Sequence, residues 1–160
     1  MKKFVFLLVT IVAVLIFTSS RTTISSDSRV GTSAANFTIG NDSVVVTLDQ
    51  FKGKWVIVNV WSSADAMARI ENIRLSKLAA RHDGVEQLAV NFDRSKALFD
   101  EVVAADSISA TNQFFCHHQD RTSFNNNWGT DGTACTFLIN GKGVIVAVNP
   151  SEQEILAAIK

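Results

Sequence analysis

Seven residues, Trp55-Val56-Ile57-Val58-Asn59-Val60-Trp61, form an apolar run rich in valine and broken only by Asn59. A run apolar at both odd and even positions suits a strand covered on both faces. A polar turn, Ser62-Ser63, follows it, and helical patterning starts near Asp65. That helix is expected to run to about Arg81, with Met67, Ile70, Ile73, Leu75 and Leu78 on one broad face. Glu71 and Arg74 interrupt the face, so the stripe is imperfect. A buried strand feeding directly into a helix N-terminus presents backbone N–H groups and the positive end of the helix to a ligand. The rest of the chain has to be arranged around this unit.

Upstream, Val30 to Ile39 reads as an extended lead-in, Asn41-Asp42 as a turn and Val44 to Leu48 as a short β run. Downstream, Val85 to Phe92 is a second strand, and Ser95 is placed to cap a helix over Ser95 to Ala105. Thr111 to Asp131 is the least regular region. It holds a short strand at Gln113 to Cys116 and a weak helix at Arg121 to Trp128, against which Asn125-Asn126-Asn127 argues for loop. Cys135 to Ile139 is a third core strand. Asn140-Gly141-Lys142-Gly143 makes a hairpin turn, and Val144 to Val148 returns antiparallel. A final helix spans Glu152 to Ile159, capped by Ser151 or Asn149, with Pro150 near its start. Strands joined through helices and followed by an antiparallel pair give an α/β fold: a mixed central sheet with helices on both faces.

The N-terminus has the layout of a targeting segment. Met1-Lys2-Lys3 is basic, Phe4 to Phe17 is apolar apart from Thr10, and small polar residues precede Arg21. Residues 1–20 are expected to be a secretory signal cleaved near Ser20, or an uncleaved N-terminal anchor. Either reading puts the remainder outside the cytoplasm, in the periplasm or cell envelope, and limits membrane contact to this segment. Residues 21–29 form a spacer and 30–160 one domain. Lysine plus arginine equals aspartate plus glutamate, 15 each. That balance gives no electrostatic case for nucleic acid.

The segment from Phe51-Lys52-Gly53-Lys54 through Trp61, and Thr136-Phe137-Leu138-Ile139-Asn140 with Gly143 and Ile145, resemble two blocks of the extracytoplasmic TlpA/ResA-like branch of the thioredoxin-like superfamily. Arg69 stands where that branch has a basic residue after its second cysteine. The run Trp61 to Ala66, with Asn91-Phe92-Asp93-Arg94, is similar to a subgroup that lacks the redox motif. The resemblance implies a thioredoxin fold over roughly Gly31 to the C-terminus. It also implies that Asp65 and Ala68 occupy the two positions of the C-x-x-C motif, and Ala134 that of a cis-proline facing it. A dithiol cycle needs an attacking thiolate and a resolving thiol, so this chemistry is not expected here. The peptide bond before Ala134 is expected to be trans.

Asp65 has a structural reading as a first-turn acid, with Ser62-x-x-Asp65 at capping-box spacing. Its functional reading is a fixed anion marking a recognition spot. The resemblance brings Cys135 close to Asp65 and Ala68, where it is either a small packing residue or a last working thiol. Trp61 is a packing residue at the rim or a binding platform. Cys116 and His118, if both on a strand, would share a face and could hint at a metal, with His82 and Asp120 as weak extras. No metal and no cofactor is expected. A Cys116–Cys135 disulfide requires Cα atoms within about 7 Å.

The leading functional reading is an exported, redox-inactive thioredoxin-like protein that binds a protein or peptide, with Trp61, Asp65, Ala134 and Cys135 as binding candidates. The alternative is a thiol-disulfide oxidoreductase-like or peroxidase-like protein using Cys135 alone. Metal or haem handling through Cys116 and His118 ranks third.

Overall fold

The computed structural model describes residues 27–42 and 44–160. The expected targeting segment, and the spacer as far as residue 26, lie outside the described residues. Among those described, no helix is long and apolar enough to cross a membrane.

The elements run β1 (Thr38–Gly40), β2 (Val45–Thr47), a 3-10 turn (Leu48–Phe51), β3 (Trp55–Trp61), α1 (Ala66–Ala79) and β4 (Val85–Asn91). They continue with α2 (Lys96–Ala105), β5 (Gln113–Phe115), α3 (His118–Trp128), β6 (Cys135–Ile139), β7 (Ile145–Val148) and α4 (Glu152–Ala158). β1 and β2 form a separate two-stranded hairpin, and the main sheet has the order β5-β4-β3-β6-β7. β3, β4 and β5 are mutually parallel, β6 runs antiparallel to β3, and β7 runs antiparallel to β6. This is a thioredoxin-like α/β fold, with the valine-rich run at the centre of the sheet as its composition requires.

The topology decides which face each helix covers. The chain steps from β3 to β4 to β5 in one direction, and right-handed crossovers moving one way place both helices on one face. Accordingly Ala68 of α1 and Phe99, Val102 and Val103 of α2 cluster with Trp61, Ala89 and Phe115. Leu75 and Leu78 of α1 join Ile155 of α4 over Ile57, Val85 and Leu138. The other face carries Val56, Val58, Val60, Leu88, Val90, Phe114, Phe137 and Ile139, covered by Phe124 and Trp128 of α3 and by residues of β2. Between α1 and the sheet lies a neutral polar seam. Gln87 Nε2 donates to Asn59 Oδ1 (2.8 Å) and Asn72 Nδ2 donates to Gln113 Oε1 (3.0 Å), all four residues being buried.

Of the two readings of Arg121 to Trp128, the helix holds, and it starts earlier, at His118. Phe124 and Trp128, one helical turn apart, stack at 5.5 Å and 7° and are both buried. That packing outweighs the poor helix propensity of three asparagines. Gly129 closes the helix in the left-handed region (φ 59°), its N–H donating to Asn125 O at 2.7 Å. Ser95 caps α2 as expected. Ser151 caps α4 in a reciprocal box with Glu154, whereas Asn149 Oδ1 instead accepts from Thr136 N.

Candidate functional site at the start of helix α1

The C-terminal ends of the parallel strands, where an open α/β sheet places its ligands, meet the first turn of α1. Asp65 is the cap of that helix: its Oδ1 accepts from the N–H groups of Met67 and Ala68, both at 3.0 Å. Ser62 therefore does not cap a helix through the expected Ser62-x-x-Asp65 box. Its hydroxyl points to Asp93 instead.

Asp93, at the end of β4, organises the turn. Its Oδ1 accepts from Ser62 Oγ at 2.7 Å and from Ser63 N at 2.8 Å, and its Oδ2 accepts from Ser63 Oγ at 2.6 Å and Asn91 Nδ2 at 3.2 Å. Asp93 is 4% exposed. Burial pushes its carboxyl up, but the hydrogen bonds from Ser63, Ser62 and Asn91 favour the anion more, and the net shift is downward. Behind it, the Arg121 guanidinium donates to the Asp93 carbonyl and through Nε to Cys116 O at 3.0 Å. Arg121 also lies over the rings of Phe92 and Phe115. In the sequence Asp93 stood out only as part of the Asn91 to Arg94 run, with no role for its side chain. The adjacent serines, each able to donate to a carboxylate across the sheet, were the available signal.

The other predicted residues divide between the two faces of the sheet. Trp61 is 1% exposed and packs on Phe99 beneath α1 and α2, so its ring offers no open platform. The register Val60↔Cys135 brings exposed Ala134 level with Trp61, at the same sheet end as Ser62 to Asp65. The described peptide bonds are all trans, that before Ala134 included. Arg69 is held by the largely buried Asp106 at the end of α2.

Cys135 is not brought to Asp65 and Ala68. Successive strand side chains alternate faces, so Thr136 points toward α1 and Cys135 points away. Cys135 packs with Val60, Phe137 and Trp128, whereas Ala68 belongs to the cluster across the sheet. Burial raises its thiol pKa, and the Arg29 guanidinium beside it offsets part of the rise. Arg29 lies 5.0 Å over Phe137 and donates to Trp128 O (2.9 Å) and Gly129 O (2.7 Å). Nothing in the local sequence signals contacts 99 and 100 residues apart.

Both cysteines are free. Cys116 ends the β5 edge while Cys135 starts β6, with β4 and β3 between. Three strand spacings amount to roughly 14 Å, twice the reach of a disulfide. Burial pushes the Cys116 thiol up to about 11. His118 is the first residue of α3 rather than part of a strand, so the shared face expected for Cys116 and His118 does not form. Among the described residues there is no group of three or more His, Cys, Asp or Glu arranged to hold a metal. Two pockets flank β5 rather than the α1 start. One of about 420 Å³ includes Lys96, Phe99 and Ile108 in its lining, and one of about 290 Å³ includes Cys116, His117 and Asp120.

Residues 30–148 match the AhpC/TSA family model. A thiol peroxidase from Halalkalibacterium halodurans is 38% identical over 74 residues, 45% of this chain and 45% of that protein. The chain thus aligns with less than half the length of that relative. Among solved structures, a thiol:disulfide interchange protein from Bacteroides sp. superposes with a TM-score of 0.71 at 23% identity, over 85% of this chain and 90% of that one. The thioredoxin domain of a thiol-disulfide oxidoreductase from Bacteroides vulgatus gives 0.69 at 22% identity, over 81% and 94%. At these identities the structural likeness speaks for the fold alone.

Proposed function

The chain belongs to the AhpC/TSA family of thioredoxin-like proteins, and from that premise we propose that it is an exported, redox-inactive member that binds an extended protein or peptide segment at the start of α1. The observation that carries this reading is the capping of α1 by Asp65. At the same position, a dithiol enzyme of this fold needs a thiolate that the helix end stabilises and a second thiol to resolve it. Here the first turn offers a carboxylate already bonded to two of the free N–H groups, and Ala68. Ala134 stands across from them where the resemblance places a proline. The turn is nevertheless held firmly by Asp93, so a shaped polar edge persists without thiols. Export is supported by the basic-apolar-polar layout of residues 1–21.

Binding is tested with a reduced and alkylated unfolded polypeptide, followed by fluorescence anisotropy. Saturable binding that Asp65→Ala weakens by more than threefold, with a fold intact by circular dichroism, supports the reading. Binding unchanged in a variant that is merely less stable leaves Asp65 a helix cap and removes it from recognition.

One observation favours a single-thiol reading. The Arg29 guanidinium beside Cys135 favours a thiolate there. Against it stand the burial of Cys135 and its raised thiol pKa. Peroxide or disulfide turnover abolished by Cys135→Ser establishes this alternative.

A further inference from the structure

The chain has two cysteines and two methionines, and the sulfurs among the described residues are those of Met67, Cys116 and Cys135. Their surroundings differ. Cys116 is 3% exposed and Cys135 7%, whereas Met67 is 73% exposed. Thiol oxidation proceeds through the thiolate, which burial disfavours at both cysteines. A thioether has no proton to lose, so its sulfur lone pair is available at any pH. Met67 also sits on the first turn of α1, its own N–H bonded to the Asp65 cap. Ile70, 58% exposed, lies three residues on and on the same face of the helix. The two side chains form an apolar patch at the edge of the candidate site.

We propose that Met67 is a modification site, oxidised to the sulfoxide by hydroperoxides ahead of either cysteine. The sulfur takes one oxygen from the peroxide and forms an S–O bond as the O–O bond breaks. The remaining fragment leaves, after proton transfer, as the alcohol, or as water when the oxidant is hydrogen peroxide. The sulfur loses two electrons and the peroxide gains them. The product is polar and chiral where the thioether was apolar, so the patch shared with Ile70 loses its apolar character. Release of a bound segment on oxidation rests on the docking reading above, but the modification itself does not.

The test treats the folded full chain with hydrogen peroxide at neutral pH. Aliquots are quenched, alkylated in denaturant and mapped by peptide mass. The expected result is one added oxygen on the peptide carrying Met67 while Cys116 and Cys135 remain fully alkylatable. Met67 should oxidise at a rate within a few-fold of that in urea, and Met67→Leu should abolish the uptake on that peptide. Loss of either thiol before Met67, or a Met67 rate in the folded protein more than tenfold below that in urea, overturns the proposal. Because no binding measurement enters, failure of the docking reading leaves this outcome unaffected.

Discussion

The hydroxyl of Ser63 donates to Asp93 Oδ2 at 2.6 Å, joining the turn after β3 to the end of β4. With the bonds from Ser62 Oγ and Ser63 N to Oδ1, one buried carboxylate fixes the backbone that launches α1. Asp93→Ala leaves four donors, that of Asn91 included, without their acceptor, and losses of this kind cost about 1–3 kcal/mol. The urea midpoint should fall with an unchanged m value. A wild-type midpoint in Asp93→Ala contradicts the clamp.

The same group sets a pH dependence. The folded Asp93 pKa lies below its ordinary value of 3.8 because the hydrogen bonds outweigh the effect of burial. The unfolded chain therefore binds its proton first as pH falls, and the stability contributed by the anion is lost through the folded value. Wild type should exceed Asp93→Asn in stability above about pH 4. The gap should close as acid protonates the folded carboxylate. A gap that widens toward low pH reverses the sign and defeats the argument.

Asp65 separates cap from charge. Asp65→Ala removes the acceptor for Met67 N and Ala68 N and should cost about 1 kcal/mol. Asp65→Ser keeps a capping oxygen but no anion, and should retain most of the thermal stability. If binding of the unfolded polypeptide falls equally in both variants, the charge rather than the cap serves recognition. Binding retained in Asp65→Ser assigns the effect to helix geometry.

Much of this arrangement was legible because it follows from local chemistry. Trp55–Trp61 is a buried central strand on composition alone, and the serine caps of α2 and α4 follow from side chains within three residues of their partners. What was not legible depends on contacts distant in sequence. The α3 helix exists because Phe124 and Trp128 find a core to fill, which outweighs the asparagine run between them. Alternation along β6 fixes that Ala134 and Cys135 face opposite ways. Only the packing of neighbouring strands and helices decides which of them faces α1. The resemblance, which brought Cys135 to Asp65 and Ala68, therefore misplaced its thiol. The strap from Arg29 to Trp128 and Gly129 left no local signature at all.

Thiol reactivity should reflect that placement. With a pKa of about 11, Cys116 has on the order of one ten-thousandth of its thiol ionised at pH 7, and burial blocks access as well. Iodoacetamide should modify neither cysteine in the native protein over the time that labels an exposed cysteine. In guanidinium chloride without reductant it should modify both. No labelling after denaturation indicates a bridge that the separated strands do not permit within one chain, and a single labelled residue indicates prior oxidation of the other thiol.

Insulin reduction with a dithiol donor addresses the central claim most directly, because it asks whether the chain can run a disulfide-exchange cycle without the two thiols at the start of α1. The account predicts precipitation at the uncatalysed rate across protein concentrations. A rate proportional to protein and lost in Cys135→Ser contradicts it, and makes this a working single-thiol enzyme.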